Sequence, residues 1–318
     1  MPRSLTFCYS KISDNLNYLD ANYGKKSRSG ELAHEICSDM LNRPIEAIFE
    51  YGLHEYILDF IIANHETRYV YDAPVQYGLQ QVRLRPKERR GQAIKSWNLE
   101  IEGGKVELSF EDQHCNHVDL ISIERGRTEI SIRCTGEVEN SDGSGIMGSH
   151  SGFAPLWYFK QATDLTKPGP ETRKLAASLG DDFEDDVARL HRLSAAVVEK
   201  VAYRTGQTDA GTDAETAMKT GEGVCQDHSH IFCTVARLLG FPARYVSGYL
   251  MMSDRVDQDA THAWAEAHIQ GLGWVGFDIS NGYSPDERYV RIATGLDYRE
   301  ASPISGMRYG AGSEDMIV

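Results

Sequence analysis

The sequence has few of the features that tie a protein to a disulfide scaffold or a structural zinc site. Its six cysteines contain no CxxC pair and form no dense framework, which excludes the disulfide-rich and zinc-ribbon classes. Cys225 and Cys233 are eight residues apart. A single helix holding both would separate them by roughly 12 Å, which is too far for a disulfide. The cysteines are therefore expected to act as thiols.

Long apolar runs and an excess of positive charge are also missing. No segment approaches the roughly 20 apolar residues of a membrane span, and the N-terminus lacks the apolar core of a signal peptide, so we expect a reducing, cytoplasmic location. The 47 Asp and Glu outnumber the 33 Lys and Arg, which gives a net charge of −14. This charge argues against nucleic acid and anionic membranes as partners. Neither GxxxxGK[ST] nor GxGxxG after a predicted strand occurs, and no cofactor is predicted. The sequence gives no oligomeric state.

The pattern of residues divides the chain into three parts. Residues 1–55 are predicted to be an N-terminal extension, partly helical or disordered, in which Leu32, Ile36 and Met40 have the spacing of one short amphipathic helix. Residues 56–150 contain several short predicted strands without helices between them, which favours an all-β, sandwich-like domain. Residues 151–318 combine helices with later antiparallel strands, which is typical of an α+β domain.

Two local predictions fall in the β-rich part. Gly103-Gly104 lies between two predicted strands and indicates a hairpin. Val106, Leu108 and Phe110 alternate with polar residues, a pattern that predicts a strand with one buried face.

The segment of residues 221–230, Gly-Glu-Gly-Val-Cys-Gln-Asp-His-Ser-His, brings one cysteine to the start of a helix. After Cys225 the apolar residues recur at helical spacing until Gly240 and Pro242 end the helix. In the first turn, free backbone N–H groups and the helix dipole stabilise a thiolate, and the same N–H groups can form part of an oxyanion hole. We therefore predict that Cys225 is a nucleophile and that Cys233, in the middle of the helix, is a core residue.

A histidine and an aspartate follow on a predicted hairpin. The stretches 262–269 and 274–279 both alternate in polarity, and the glycine-rich residues 271–273 form a turn between them. A turn centred on residue 270 or 271 places Asp278 opposite His262 or diagonal to it, within about 8 Å. A carboxylate at that distance can fix the tautomer of an imidazole. Cys225, His262 and Asp278 are therefore the predicted catalytic residues.

These motifs resemble the transglutaminase-like superfamily, and within it the bacterial members described as cysteine proteases. The resemblance is carried by Gly-x-Gly-Val-Cys-Gln-Asp (221–227), Thr-His-Ala-Trp-Ala-Glu (261–266) and Gly-Trp-Val-Gly-Phe-Asp (273–278). The stretch His-Glu-Thr-Arg-Tyr-Val-Tyr-Asp-Ala-Pro-Val (65–75) looks like the β-rich N-terminal domain of the same bacterial transglutaminase-like proteins.

The resemblance implies a papain-like α+β fold, with the cysteine at a helix N-terminus packed against an antiparallel sheet. It implies Cys225 as nucleophile, His262 as general base and acid, and Asp278 as the residue that orients the histidine. The sequence departs from the family at two places. His228-Ser229 stands where an aromatic residue and alanine are frequent, and Ile279-Ser280 stands where Pro-Thr is common.

The favoured function is hydrolysis of an amide bond, as a peptidase or amidase, through a thioester on Cys225. The substrate would be a peptide or another amide. Transglutaminase-type transfer to an amine is an alternative, because the two reactions differ only in whether water or an amine accepts the acyl group. A metal site is another, because the chain offers a dense set of ligand types: Cys225, Asp227, His228, His230 and His262. A non-catalytic binding module on the same fold is the third.

Overall fold

The computed structural model describes residues 60–180, 182–251, 261–309 and 314–317. All of them belong to one compact unit, Asp59–Val318. The predicted N-terminal extension, residues 1–55 with its short helix, lies outside the described residues, so that prediction stays a prediction.

The strands of the described part are numbered in chain order. They are β1 (Phe60–Tyr71), β2 (Tyr77–Val82), β3 (Gln92–Glu102), β4 (Gly104–Glu111), β5 (His117–Ile123), β6 (Glu129–Asn140), β7 (Ile146–Gly148), β8 (Ala202–Tyr203), β9 (Glu222–Gly223), β10 (Ala243–Leu250), β11 (His262–Ile269), β12 (Gly273–Phe277), β13 (Tyr289–Gly295), β14 (Ile304–Tyr309) and β15 (Glu314–Ile317). The helices are α1 (Pro170–Leu179), α2 (Asp186–Lys200), α3 (Ala214–Thr220), α4 (Cys225–Leu238) and α5 (Tyr298–Ala301), and a 3-10 turn spans Tyr158–Lys160.

Two four-stranded antiparallel sheets form the β-rich part. One has the order β15-β1-β6-β3 and the other β14-β2-β5-β4. Strands of both sheets contribute to one buried apolar cluster, whose members include Tyr69, Tyr71, Val82, Ile121, Ile123, Ile130, Ile132 and Cys134. Because this core joins the inner faces of two sheets, the part is a β-sandwich, and the sequence prediction is confirmed.

The predicted hairpin at Gly103-Gly104 is wrong. Strand β3 pairs with β6 and β4 pairs with β5, so the chain crosses at this point from one sheet to the other. Gly103 has a φ of 82°, and a β-carbon there would lie 2.5 Å from the carbonyl oxygen of Glu129. The glycine is required by the close approach of two strands at the crossing, and such an approach produces the same local signal as a tight hairpin.

The single buried face predicted for β4 is also wrong. Val106 lies opposite Ile121, but Leu108 lies opposite Leu120, because a bulge interrupts the ladder between them. Neighbouring residues of β5 point to opposite faces, so Val106 and Leu108 do so as well. Strand β4 is an edge strand, and Val106, Leu108 and Phe110 are each at least 40% exposed.

The chain passes between the sandwich and the helical part more than once. Strand β7, inside the small polar stretch 140–152, pairs with β12, and the late strands β14 and β15 pair with β2 and β1 of the sandwich. The C-terminal part of the described chain therefore completes both sheets of the sandwich.

The α+β part consists of an antiparallel five-stranded sheet, with order β13-β10-β11-β12-β7, and the helices packed against it. Its main core combines apolar residues of α1, α2, α3 and α4 with one face of the sheet. Ala265 and Ala267 of β11 lie in this core against helix α4, whereas Glu266 of the same strand binds Arg244 and Arg291 on the other face. A helix carrying Cys225 thus packs on an antiparallel sheet carrying His262, as the fold prediction requires.

Candidate active site

Cys225 is the first residue of helix α4 and follows the extended residue Val224. The preceding helix α3 ends at Gly221, whose φ of 74° is left-handed, a conformation that glycine adopts without strain. At Gly223 a β-carbon would lie 2.8 Å from the side chain of Asp227, so the glycine leaves room for the turn. These two glycines place the half-buried Cys225 thiol at a helix N-terminus.

The carboxylate of Asp227 holds this turn. It is buried, and its Oδ2 accepts hydrogen bonds from the Val224 N–H at 2.8 Å and from the Thr208 hydroxyl at 2.7 Å. Burial raises the pKa of Asp227, and these hydrogen bonds offset part of that effect. Asp227 therefore caps the helix and fixes the backbone directly before Cys225.

His262 and Asp278 meet as the hairpin register demands. Strand β11 pairs with β12 so that Ala265 lies opposite Phe277, which puts Asp278 diagonal to His262. The Nε2 of His262 lies 2.6 Å from Oδ2 of Asp278. Since Nε2 is engaged by the carboxylate, Nδ1 is the ring nitrogen left to face Cys225, whose nearby charge helps to raise the pKa of the ring.

Asp278 is fully buried and is surrounded by donors. Besides His262, the hydroxyl of Tyr289 donates to Oδ2 at 2.6 Å, and the side-chain amide of Asn281 donates to the same oxygen at 2.7 Å. The backbone N–H of Asn281 donates to Oδ1 at 3.1 Å. These donors compensate the carboxylate for its loss of water and keep it in one position.

The electrostatics of the pair favour an ion pair. Burial by itself lowers the pKa of His262, but the hydrogen bonds and charges of Asp278 and Cys225 outweigh it and raise the pKa to about 10. Burial raises the pKa of Asp278, but the hydrogen bond and charge of His262, with help from Tyr289 and Asn281, bring it below its ordinary value. The histidine is therefore a cation and the aspartate an anion at neutral pH.

Tyr203 is a functional candidate that the sequence reasoning missed. Strand β8 pairs with β9 in parallel, and this pairing sets Tyr203 opposite Gly223, two residues before Cys225. Burial, together with the charge of the nearby Cys225, raises the pKa of Tyr203 to about 12. A neutral hydroxyl thus stands beside the sulfur. No local motif signals it, because a two-residue parallel pairing leaves no periodicity.

The two departures from the family pattern, His228 and Ser280, contact each other. The Nδ1 of His228 lies 2.9 Å from the Ser280 hydroxyl, and Nε2 lies 3.0 Å from the carbonyl oxygen of Val201. A carbonyl accepts only, so Nε2 carries the proton and Nδ1 accepts from Ser280. Burial lowers the pKa of His228 and keeps it neutral. The histidine ties the segment before Tyr203 to the turn after Asp278.

The residue types that suggested a metal site do not converge. Within the described residues, no group of three or more His, Cys, Asp and Glu side chains could hold a metal ion. The Nε2 of His230 accepts from the Tyr298 N–H at 3.1 Å, while His228 and Asp227 have the partners given above. His230 and His228 lie two positions apart on α4 and point in different directions.

A helix-borne cysteine packed on an antiparallel sheet that carries a paired histidine and aspartate is the arrangement that the resemblance to the transglutaminase-like superfamily implies. Comparison with known proteins agrees. Residues 173–279 match the model of the transglutaminase-like superfamily, and residues 62–139 match that of the bacterial transglutaminase-like N-terminal region. The chain therefore contains a transglutaminase-like core preceded by a bacterial transglutaminase-like N-terminal region, as the resemblance predicted. Residues 1–69 match a third model, described as a predicted α-helical domain with a conserved ER motif.

Two sequence relatives and one solved structure are similar to this chain. An uncharacterized protein of Mycobacterium leprae is 26% identical over 271 residues, covering 80% of this chain and 95% of that protein. An uncharacterized protein of Mycobacterium tuberculosis is 34% identical over 139 residues, covering 41% of this chain and 44% of that one. The crystal structure of a predicted cysteine protease from Cytophaga hutchinsonii has a TM-score of 0.62 at 21% identity, covering 81% of this chain and 90% of that chain. None of the helices in the described part of the chain has the length and apolar character needed to span a bilayer.

Proposed function

We propose that the protein is a cysteine-dependent hydrolase of amide bonds, a peptidase or amidase, that works through a thioester on Cys225. The observation that supports this most is the position of His262 between two partners. Its Nε2 is 2.6 Å from the buried carboxylate of Asp278, and the charge of Cys225 helps to raise the pKa of the ring. A protonated imidazole beside a thiol at a helix N-terminus favours a thiolate–imidazolium pair, the reactive form of a cysteine nucleophile.

The first half of the reaction forms the acyl-enzyme. The Cys225 thiolate attacks the carbonyl carbon of the amide and gives a tetrahedral oxyanion. The backbone N–H of Cys225 and the hydroxyl of Tyr203 are the donors available for that oxygen. His262 transfers its Nδ1 proton to the amide nitrogen, the C–N bond breaks, and the amine leaves. The product is a thioester and a neutral imidazole.

The second half releases the acid. The neutral His262 accepts a proton from water, and the resulting hydroxide attacks the thioester carbon. The C–S bond breaks, the carboxylic acid leaves, and the thiolate–imidazolium pair is restored. Throughout, Asp278 keeps the histidine in the tautomer that presents Nδ1 to the sulfur. A reducing cytoplasm, where we expect the protein to act, would keep the thiol free.

Transfer to an amine is the second candidate, and the match of residues 173–279 to the transglutaminase-like superfamily supports it. It needs no change in the residues, because an amine takes the place of water in the second half.

A library of peptides and isopeptides, incubated with and without an added primary amine, tests the proposal. Loss of product in Cys225→Ala, with activity kept in Cys233→Ala, is the expected result. Cys233 lies on the same helix and is buried, so it is the matched control. An amine adduct instead of the free acid would assign the transferase reaction. Equal turnover by Cys225→Ala and the wild-type protein would refute the role of Cys225. No turnover of any member by wild-type protein would favour a binding module on this fold.

A further inference from the structure

Several half-buried apolar side chains share a packing site with Cys225. The cysteine packs against a buried apolar cluster that includes Tyr245 and Ala263. Four further side chains, all uncharged and only partly buried, pack against the same cluster: Trp97, Tyr249, Met251 and Tyr298. The reaction described above uses none of these four.

Strand β10 brings Tyr249 to the level of Cys225. Arg237, near the end of α4, donates to the carbonyl oxygen of Ala243 at the start of β10 at 2.9 Å, so the strand runs back along the helix. Going from Arg237 to Cys225 covers about 18 Å of helix at about 1.5 Å per residue. Going from Ala243 to Tyr249 covers about 20 Å of strand at about 3.3 Å per residue. The two lengths match, so Tyr249 lies beside the N-terminal end of α4.

Tyr249 also lies on the face of the sheet that packs on α4. Side chains alternate along a strand, so Tyr249 shares a face of β10 with Tyr245, whose ring is 5.2 Å from that of His230 on α4. The ring of Tyr298 lies 6.1 Å from that of Tyr245, and the Tyr298 N–H donates to His230. Met251 follows β10 and packs against the same cluster. We call Tyr249, Met251 and Tyr298 the apolar wall.

The apolar wall and Tyr203 lie on opposite sides of His262. Strands β10 and β12 flank β11 in the sheet, and Tyr249 comes one residue after the partner of His262 on β10. Tyr203 lies on the β12 side. Its ring is 6.0 Å from that of His228, which contacts Ser280 after the end of β12. A substrate bound at Cys225 therefore has Tyr203 on one side and the apolar wall on the other.

The sandwich holds Tyr249 in place. The Tyr249 hydroxyl lies 3.5 Å from the sulfur of Cys134 on β6, and its ring is 5.6 Å from the ring of His65 on β1. Trp97 of β3 packs against the same cluster from the sandwich side. A side chain that is already fixed loses less conformational entropy when a ligand binds to it. The sandwich thus helps to shape the surface beside Cys225.

The geometry of acyl transfer decides which part of the substrate meets the apolar wall, and this step rests on the proposed function. In the tetrahedral state the acyl carbon carries the sulfur of Cys225, an oxyanion, the leaving nitrogen and the acyl chain. The oxyanion faces Tyr203 and the leaving nitrogen faces His262. The acyl chain is the substituent that remains, and the side that remains is that of the apolar wall.

We propose that the apolar wall is the subsite for the side chain that directly precedes the scissile amide, and that it selects an apolar or aromatic side chain. A carboxylate taken out of water without a partner is strongly disfavoured, and the wall contains no cation to pair with it. One methylene in an apolar pocket changes selectivity by about 10-fold or more. The subsite therefore favours leucine over glycine and rejects glutamate.

Three chloromethyl ketones of N-acetylated leucine, glycine and glutamate test the proposal on the full chain. The Cys225 thiolate displaces chloride from each, so a C–S bond forms at the position where an acyl donor would bind. The rate of Cys225 alkylation is measured by peptide mass spectrometry. In the wild-type protein we expect the leucine probe to react at least tenfold faster than the glycine probe, and the glutamate probe to react most slowly.

Variants of Tyr249 locate the preference. Tyr249→Ala should lower the ratio of the leucine rate to the glycine rate at least fivefold, whereas a general loss of thiol reactivity would slow both probes alike. Tyr249→Phe keeps the apolar ring and should keep most of the preference. Phe110→Ala removes a ring that is 40% exposed on β4 of the sandwich, and it should leave the ratio as in the wild-type protein.

Equal rates for the leucine and glutamate probes in the wild-type protein would overturn the subsite, as would an unchanged ratio in a folded Tyr249→Ala. If Tyr249→Ala does not fold, Met251→Ala takes its place, with a lowered ratio again expected. The failure of the proposed function looks different: none of the three probes would label Cys225, which would refute the nucleophile and, with it, the subsite.

Discussion

Replacing Asp278 with asparagine tests whether the carboxylate sets the charge of His262. The change keeps the shape of the side chain. Three of its donors, from His262, Tyr289 and Asn281, converge on Oδ2, and only the Asn281 N–H at 3.1 Å faces Oδ1. The amide oxygen of an asparagine can therefore take the place of Oδ2 and accept from these three donors. Its NH2 group then takes the place of Oδ1, next to the backbone N–H of Asn281. The variant should fold.

The expected effect on His262 is large. With a pKa of about 10, imidazolium exceeds the neutral ring by about a thousandfold at pH 7. Once the carboxylate charge is gone, burial opposes protonation and only Cys225 favours it. We expect the pKa to fall toward or below the ordinary value of 6.5, which leaves a large share of the ring neutral at pH 7.

The assay is nitrogen-15 NMR of the histidine rings during a pH titration of the full chain. The control is Asp286→Asn, which removes a nearby carboxylate that pairs with Arg288 and not with His262. In the control, His262 should titrate as in the wild-type protein. A His262 resonance that still titrates near pH 10 in Asp278→Asn would refute the argument that Asp278 holds the histidine charged.

Three further predictions concern stability and rate. Because the pKa of His262 is raised on folding, its contribution to the free energy of unfolding is complete below pH 6.5 and lost as the pH rises to about 10. Urea unfolding should show this loss in the wild-type protein and a smaller loss in Asp278→Asn. Curves of unfolding free energy against pH that run parallel in the two proteins would contradict the prediction. Tyr203→Phe removes the hydroxyl beside Cys225 and should slow amide hydrolysis roughly 10²-fold. The rate at which iodoacetamide alkylates Cys225 should stay unchanged. An equal fall in both rates would show that Tyr203 activates the thiol instead. His228→Phe leaves the Ser280 hydroxyl without its acceptor, so Ser280→Ala should cost less stability in that variant than in the wild-type protein. A double-mutant cycle measured by urea unfolding should give a coupling energy of about 0.5–1.5 kcal/mol. Losses of unfolding free energy that simply add would contradict the contact.

The local part of the site could be predicted from the sequence because its signals are short-range. Helical spacing after Cys225 and the alternation around His262 are properties of single elements. One glycine-rich turn fixes the hairpin register, and that register puts Asp278 diagonal to His262. The β-sandwich and the α+β core could be predicted for the same reason, since short strands without helices between them leave few other packings.

The predictions that failed or were missing depend on contacts between distant segments. Gly103 looks like a hairpin turn because its neighbours are both strands, but each strand pairs elsewhere. The bulge in β4 depends on its partner strand and leaves no mark in the alternation of β4 itself. Tyr289 lies close to Asp278 because of the order of the strands in the sheet. Tyr203 lies close to Cys225 because β8 pairs in parallel with β9, 20 residues further along the chain. Periodicity within one segment does not contain this information.

The central claim is that Cys225 is a nucleophile activated by His262. Its most direct test is the rate at which iodoacetamide alkylates Cys225 at pH 6, measured by peptide mass spectrometry in the wild-type protein and in His262→Gln. Glutamine keeps a polar side chain on β11 and removes the positive charge that favours the thiolate. We predict alkylation at least tenfold slower in His262→Gln, with Cys233 unlabelled in both proteins. Equal rates in the two proteins would contradict the claim.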